Sequence, residues 1–280
     1  MPWPEPADER VQGSDNMKSH VLPNGLEVKH TNLLETVHLY QDIFVMQVYL
    51  QHGITLRDNA VVIDGGANIG MFSLFVLVNC PTAYIHAFEP APKTFQVLQA
   101  NLSVHPKAVA NNCGLGSHAA EEWFMYMPAA TTASGYFGGA MISEMKQQMR
   151  SAILADPDKS RPYKGPLGEE LLVRHLNESL RGQLVRSMTR SLSDYFDEKQ
   201  ISRVDILKLD VECRECAVLA GIRDEHWPFI QQIVIEVHSR VNDALPEVLE
   251  ILGKRGFTVV SVPEKGRLTT MAYARRLALQ

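Results

Sequence analysis

The sequence predicts an α/β fold: a mainly parallel sheet with helices on both faces, an N-terminal helical cap, a long insert and a C-terminal antiparallel hairpin. Three observations carry this. From residue 59 onward, short apolar strand-like runs alternate with helix-like stretches, as a parallel sheet requires. The first of these runs, Ala60-Val-Val-Ile-Asp64, leads straight into a glycine-rich turn. The final stretch, Phe257–Val262 and Leu268–Arg275, reads as two strands across Pro263-Glu-Lys-Gly266 instead of another strand–helix unit.

Residues 1–58 form the extension and cap. Met1–His20 reads as a loose terminus, and Leu22-Pro-Asn-Gly-Leu-Glu-Val as a tight turn between short strands, because Asn-Gly favours such turns. Leu33, Leu34, Val37, Tyr40, Ile43, Phe44 and Val48 fall at roughly helical spacing. In the core, 59–280, the run ending at Asp64 is bounded like a buried parallel strand. A helix over Ile69–Val78, a strand over Ala83–Glu89, a helix over Pro92–Leu102 and a strand over Lys107–Asn112 follow. Glu121–Met127 adds a strand. Residues 128–186 then break the rhythm, with Gly, Ser, Thr and Met giving way to charged, proline-containing stretches. An insert of that length is read as a lid over a binding site, with a surface excursion as the alternative. A short helix at Ser191–Phe196, a strand at Val204–Asp210, a helix at Cys213–Gly221, a strand at Phe229–His238 and a helix at Val241–Gly253 lead to the hairpin.

Composition narrows the function. The net charge of −5 over 280 residues offers no basic face for neutralising phosphates, so no nucleic-acid partner is expected. Arg275 and Arg276 read as the edge of a terminal strand. The longest apolar run, Met71–Val78, is too short to cross a bilayer, and no membrane partner is expected. Four scattered cysteines make no disulfide scaffold. The polar, Pro-rich start is no signal peptide. Together they predict a cytoplasmic protein.

The central motif is Val61-Val-Ile-Asp64-Gly65-Gly66-Ala67-Asn68-Ile69-Gly70. Glycines let the backbone turn sharply beside a ligand, and the N–H groups at the following helix start can hold an anion. Gly65-x-Ala67-x-x-Gly70 is a degenerate dinucleotide fingerprint. Glu89 stands about twenty residues further on, where a ribose-binding acid belongs. NAD and S-adenosylmethionine both carry a ribose, so this motif alone leaves both open. An NAD enzyme would need a second mononucleotide-binding half. The C-terminal hairpin instead looks like the ending of class I methyltransferases, whose last strand inserts antiparallel.

Four segments make the resemblance specific: Ile63-Asp-Gly-Gly-Ala-Asn-Ile-Gly70, His86-Ala-Phe-Glu-Pro90, Leu207-Lys-Leu-Asp-Val-Glu212 and Val234-Ile-Glu-Val-His238. In this order and spacing the sequence resembles the FkbM-type methyltransferase family, over about Asn59–Val262 without the insert. The resemblance implies a Rossmann-like, seven-stranded class I methyltransferase fold with S-adenosylmethionine as cofactor. It implies that Gly66, Asn68 and Gly70 pass the methionine part and that Glu89 accepts the ribose hydroxyls. Asp64, Gly65 and Pro90 belong to the same cofactor-binding set, and Asn112-Cys113-Gly114 would lie near the adenine. Leu22–Val28, Glu35-Thr36 and Tyr40–Phe44 resemble the versions that accompany polyketide and nonribosomal-peptide assembly lines. That implies natural product biosynthesis and an acceptor held on an acyl- or peptidyl-carrier protein. Two residues depart from the family pattern: Gly65 replaces the usual Val, and Cys213 the usual Gly. The first reads as extra freedom in a turn. The second puts a Cβ at the helix start, or marks a backbone that needs no positive φ there.

Ligands in such sheets lie beyond the carboxyl ends of the strands, where this sequence places Asp64, Glu89, Asn112–Gly114, Asp210–Glu212 and Glu236–His238. A hydroxyl acceptor must lose a proton, and His238 is the leading general base. Glu236, two residues before it, shares its face in a strand and could orient the imidazole. Asp210 could hold the methionine ammonium. Asp210, Glu236 and His238 could also bind a metal, and that donor set suits Mg²⁺ or Mn²⁺ better than Zn²⁺. Cys213-x-x-Cys216 has no second pair and reads as an ordinary helix start. Ser134–Gly139 and Met141–Met149 would line the acceptor pocket. The expected activity is O-methylation of a hydroxylated small molecule. An NAD-dependent oxidoreductase and a non-catalytic cofactor-binding module are the alternatives.

Overall fold

The computed structural model describes residues 17–136, 139–238, 244–264 and 269–276. The chain opens with the expected hairpin, β1 (Lys18–Val21) and β2 (Glu27–His30), paired antiparallel. Asn32 then caps α1 (Leu33–Tyr40) by accepting the N–H groups of Leu34 and Glu35, donors that a helix start leaves open. A turn of π-helix and a 3-10 turn carry the chain to Leu50 and bury Ile43 and Tyr49.

The alternating core follows as β3 (Val61–Gly65), α2 (Met71–Asn79), β4 (Tyr84–Phe88), α3 (Pro92–Leu102) and β5 (Ala108–Asn111). Next come β6 (Gly114–Leu115) and β7 (Ala120–Tyr126). The insert folds as α4 (Gly139–Ala155), α5 (Pro157–Ser160) and α6 (Gly168–Ser179). After it run β8 (Gln183–Arg190), α7 (Leu192–Lys199), β9 (Ile206–Leu209) and α8 (Glu215–Ala220). The chain closes with β10 (Gln232–Val237), α9 (Leu245–Lys254), β11 (Phe257–Pro263) and β12 (Thr270–Arg276).

The main sheet has seven strands in the order β11–β12–β10–β9–β3–β4–β5. β12 inserts antiparallel between β10 and β11, while β10, β9, β3, β4 and β5 run parallel. This is the predicted architecture. Helices cover both faces, so the central strands are apolar throughout: Val62, Ile63, Ile206, Leu207, Val234 and Ile235 are fully buried. Each such side chain contributes about 1.5–3 kcal/mol relative to exposure. The strand order reverses between β3 and β9, and the crevice outside their carboxyl ends is where such sheets bind ligands.

Some expectations need correction. Glu121–Met127 forms the expected strand, which belongs to a second sheet, β6–β8–β7. β8 is absent from the sequence reading, and its pattern explains why. Its inward positions include the polar Ser187 and Thr189, whereas Met188 faces solvent, so the usual apolar alternation is inverted. The insert is helical and anchored by buried Leu172, Leu176 and Leu180, with Met141, Met145 and Met149 packed against Met125, Met127 and Leu180. Arg276 has the structural role expected of it: it lies over the Phe257 ring and donates to the carbonyls of Trp227, Ile230 and Arg255. The starts of the predicted Val241–Gly253 helix and Leu268–Arg275 strand, the tip of the hairpin, and residues 1–16 lie outside the described residues. No helix among the described residues is long and apolar enough to cross a membrane.

Asp205 joins the starts of the two strands that carry the crevice. Its buried carboxylate accepts the Val61 N–H at 2.8 Å and Arg203 Nε at 3.1 Å, and Arg57 pairs with its other oxygen. Asp205→Ala leaves the Val61 N–H without its acceptor. Because both arginines are half exposed, the expected loss is about 2 kcal/mol in urea unfolding.

Candidate active site

The glycine turn is built around one glycine and one lysine. Gly66 has φ +71°, and a Cβ there would stand 1.8 Å from the Asp210 carbonyl oxygen. Only glycine fits so close an approach. The Gly66 and Ala67 N–H groups donate to the Phe88 carbonyl. Lys208, from β9, donates its ammonium to Gly66 O at 2.8 Å and Gly65 O at 3.3 Å. The same ammonium lies 3.2 Å from Asp64 Oδ1 and 3.7 Å from Asp210 Oδ2. Burial alone would push Lys208 down, but Asp64 and Asp210 outweigh it and hold the ammonium above its usual pKa. Asp64 is wholly buried and also accepts from Ser73 Oγ at 2.7 Å. It faces inward to Lys208 and Ser73 and does not line the cavity.

Glu89 stands just past β4. Its oxygens accept the N–H groups of Asn68 and Ala91, each at 2.9 Å. Burial pushes its carboxyl up to about 7, with those two hydrogen bonds and the Lys208 charge acting the other way and Asp64 adding to the rise. Each oxygen keeps a lone pair for a further donor. Asn68, at φ +50°, also donates from Nδ2 to Thr131 Oγ1 at 2.9 Å. Thr131 Oγ1 donates in turn to Glu35 of α1, which also accepts the Thr132 N–H. Gly66, Ala67, Asn68, Glu89 and Pro90 thus line a cavity whose far wall is Leu115, Phe124, Ser134 and Tyr136. Arg214 lies 4.6 Å from the Tyr136 ring centroid and is itself held by both oxygens of Glu122.

A second cavity of about 390 Å³ adjoins the first, and Asp210 lines both. Its wall carries Glu212, Glu236 and His238, with Met145 and Met149 of α4. Tyr49 donates its hydroxyl to Asp210 Oδ2 at 3.1 Å. The expected partnership of His238 with Glu236 is replaced by another. β10 ends at Val237, so His238 leaves the strand and turns to Glu215, with Nδ1 3.0 Å from its Oε1, and to Glu212, with Nε2 3.1 Å from its Oε2. Burial opposes the charged ring, but these carboxylates hold His238 well above the usual imidazole value. Both ring nitrogens are thus engaged by carboxylates. One donor atom each from Asp210, Glu236 and His238 still lies within 4.8 Å of the others.

Residues 64–259 match the family model described as Methyltransferase FkbM domain. The chain belongs to the FkbM methyltransferase family. It is therefore an S-adenosylmethionine-dependent methyltransferase, which leaves the NAD-dependent alternative without support. The chain is similar to 31-O-demethyl-FK506 methyltransferase FkbM of Streptomyces tacrolimicus, at 38% identity over 89% of this chain and 92% of that protein. It is 36% identical, over 85% of its length, to AMB antimetabolite synthetase AmbE of Pseudomonas aeruginosa, but spans only 11% of that longer protein. Methyltransferase 1 of Beauveria bassiana is 29% identical over 90% of each chain.

Within this FkbM-type site the remaining predicted residues divide. Gly65 is part of β3, not of a turn; a Cβ there would press on Leu209 and Leu115. Gly70 ends the loop before α2, against Leu98. Asn112 donates to the carbonyls of Glu89 and Pro90, bracing the loop from behind, and Cys113 packs into the core around Tyr195 and Leu209. Neither lines the cavity, though Gly114 does. Ser134 and Tyr136 line the first cavity and Met145 and Met149 the second, while Phe137 and Gly138 lie outside the described residues. Sequence reasoning missed Tyr49, Thr131, Arg214 and Glu215, which no local motif marks. Lys208, two residues before Asp210, shares its face in an extended chain.

Glu212 and Cys213 have φ +47° and +68°. The backbone therefore keeps the left-handed turn even though Cys213 carries a Cβ. Such a conformation costs an L-residue roughly 1–2 kcal/mol. Burial, the largest influence, also pushes the Cys213 thiol up to about 12. Cys213→Gly is expected to stabilise the fold by about 0.5–1 kcal/mol in urea unfolding, after the glycine's larger unfolded-state entropy is set against the relieved strain. Gly66→Ala collides with the Asp210 carbonyl and should abolish S-adenosylhomocysteine binding in a calorimetric titration.

Proposed function

We propose that this methyltransferase moves the methyl group of S-adenosylmethionine to a hydroxyl oxygen of a small molecule, presented by an acyl- or peptidyl-carrier protein in natural product biosynthesis. The observation that carries the reading is the junction at Asp210. One carboxylate borders both the glycine-turn cavity and the larger acidic cavity, so a donor in the first and an acceptor in the second meet there. The name of the Streptomyces relative, a methyltransferase for 31-O-demethyl-FK506, supports an oxygen acceptor. The likeness to part of an antimetabolite synthetase supports the assembly-line setting. Four free cysteines suit a reducing cytoplasm.

In this reading Gly66, Ala67 and Asn68 shape the floor under the methionine part. Glu89 takes the ribose hydroxyls with the lone pairs left beside Asn68 and Ala91, and the Tyr136 ring, braced by Arg214, flanks the adenine. A lone pair on the acceptor oxygen attacks the methyl carbon. The carbon–sulfur bond breaks with its electrons going to sulfur, and the hydroxyl proton passes into the carboxylate cluster at Asp210, Glu212 and Glu236. Alignment of nucleophile and methyl supplies much of the rate. The proton acceptor belongs among these carboxylates and not at the imidazolium of His238.

Two measurements test this. A carboxylate accepts two hydroxyl donors only when ionised, and burial pushes the Glu89 carboxyl up to about 7. Affinity for S-adenosylhomocysteine should therefore be full above that pH and fall up to tenfold per unit below it; Glu89→Gln should bind weakly and show no such slope. With a hydroxylated acceptor that gains one methyl, Glu236→Gln should lower kcat by about 10²–10⁴-fold, the share of assisted proton removal by the carboxylate cluster, while its affinity for S-adenosylhomocysteine stays at the wild-type value.

A further inference from the structure

The larger cavity has an electrostatic deficit. Glu35, Asp42, Asp210, Glu212, Glu236 and Glu264 border it, together with His38 and His238, and among the described residues no lysine or arginine does. Most of these carboxylates have partners. Glu35 is held by Thr131 and Thr132, Asp210 by Tyr49, Glu212 by His238 and Glu264 by Thr269. Glu236 accepts no hydrogen bond from any described residue, although it stands on a buried strand with its carboxylate toward Asp210 and His238. A carboxylate so placed wants a cation.

The second observation lies behind His238. Glu215 is fully buried, and its Oε1 sits 3.0 Å from His238 Nδ1. A carboxylate behind one ring nitrogen is the arrangement that orients metal-bound histidines and sets their tautomer; the other nitrogen, Nε2, lies 3.1 Å from Glu212 on the cavity wall. We propose that Asp210, Glu236 and His238 Nε2 hold a divalent cation of the Mg²⁺ or Mn²⁺ type at the edge where the two cavities meet. Donor atoms within 4.8 Å of one another can close on such an ion at about 2.1–2.2 Å with small side-chain rotations. Two carboxylates and one imidazole, with positions left for water or a hydroxyl, suit these ions better than zinc.

The site deepens the methyl-transfer reading and rests on it for its use, though not for its existence. A cation there would bind the acceptor hydroxyl and lower its pKa. Ligation by Nε2 would displace Glu212 and release the ring proton to solvent. Glu212, which borders the same cavity but lies outside the proposed ligand set, would then take the hydroxyl proton as the oxygen attacks the methyl carbon.

The test is an electron paramagnetic resonance titration of chelator-treated full chain with Mn²⁺, alongside calorimetry with S-adenosylhomocysteine on the same samples. The wild type should bind one Mn²⁺ displaceable by Mg²⁺. Glu236→Gln and Asp210→Asn should each weaken it at least tenfold, and Glu236→Gln should still bind S-adenosylhomocysteine, which shows that it is folded. A wild-type chain that binds S-adenosylhomocysteine but no stoichiometric Mn²⁺, or equal Mn²⁺ affinity in wild type and Glu236→Gln, overturns the site. Stoichiometric Mn²⁺ binding without S-adenosylhomocysteine binding would uphold the site and remove the methyl-transfer reading instead.

Discussion

A single buried ammonium organises the carboxyl end of this sheet. Lys208 is almost without solvent, yet it stays charged because its donors reach the carbonyls of Gly65 and Gly66 and its charge faces Asp64 and Asp210. An unpaired ammonium at that depth would cost several kcal/mol, so the carbonyls and carboxylates must stay in place. The turn that shapes the first cavity is thereby fastened from below. Alternation along an extended chain puts residues 208 and 210 on one face. The same alternation delivers Asp210 to the crevice, where Tyr49 reaches it from the N-terminal cap.

A chain of hydrogen bonds closes the cavity from above. Glu35 of the cap holds Thr131 and Thr132, which follow the second sheet, and Thr131 holds the Asn68 side chain of the glycine loop. The Asn68 N–H then reaches Glu89. Three segments far apart in sequence are thus coupled to the carboxylate at the centre of the site. Without α1, the Thr131 turn and the glycine loop would lose their common anchor.

Much of this was legible in the sequence for physical reasons. Strands buried on both faces must be apolar throughout, and a backbone approach as close as Gly66 to Asp210 demands glycine, so the sheet and the turn leave local signatures. The place of Glu89 on the cavity wall was legible because its spacing from the turn is set by the helix and strand between them. What failed depended on partners distant in sequence. His238 and Glu236 share a face only if the strand continues; it stops at Val237, and the ring turns to Glu212 and Glu215. β8 hid because its buried positions are polar. Asp64 resembled a ligand because nothing in the sequence reveals that Lys208 and Ser73 claim it. The left-handed turn at Cys213 persists without glycine because the surrounding packing imposes it.

The most direct test of the account is where the methyl donor sits. Calorimetric titration at pH 8 with S-adenosylhomocysteine, and separately with NADH, should give micromolar binding of the first to the wild-type chain, none to Glu89→Ala, and none of the second to either. Equal binding of S-adenosylhomocysteine to wild type and Glu89→Ala would move the cofactor out of the glycine-turn cavity, and tight NADH binding would contradict the methyl-donor assignment itself.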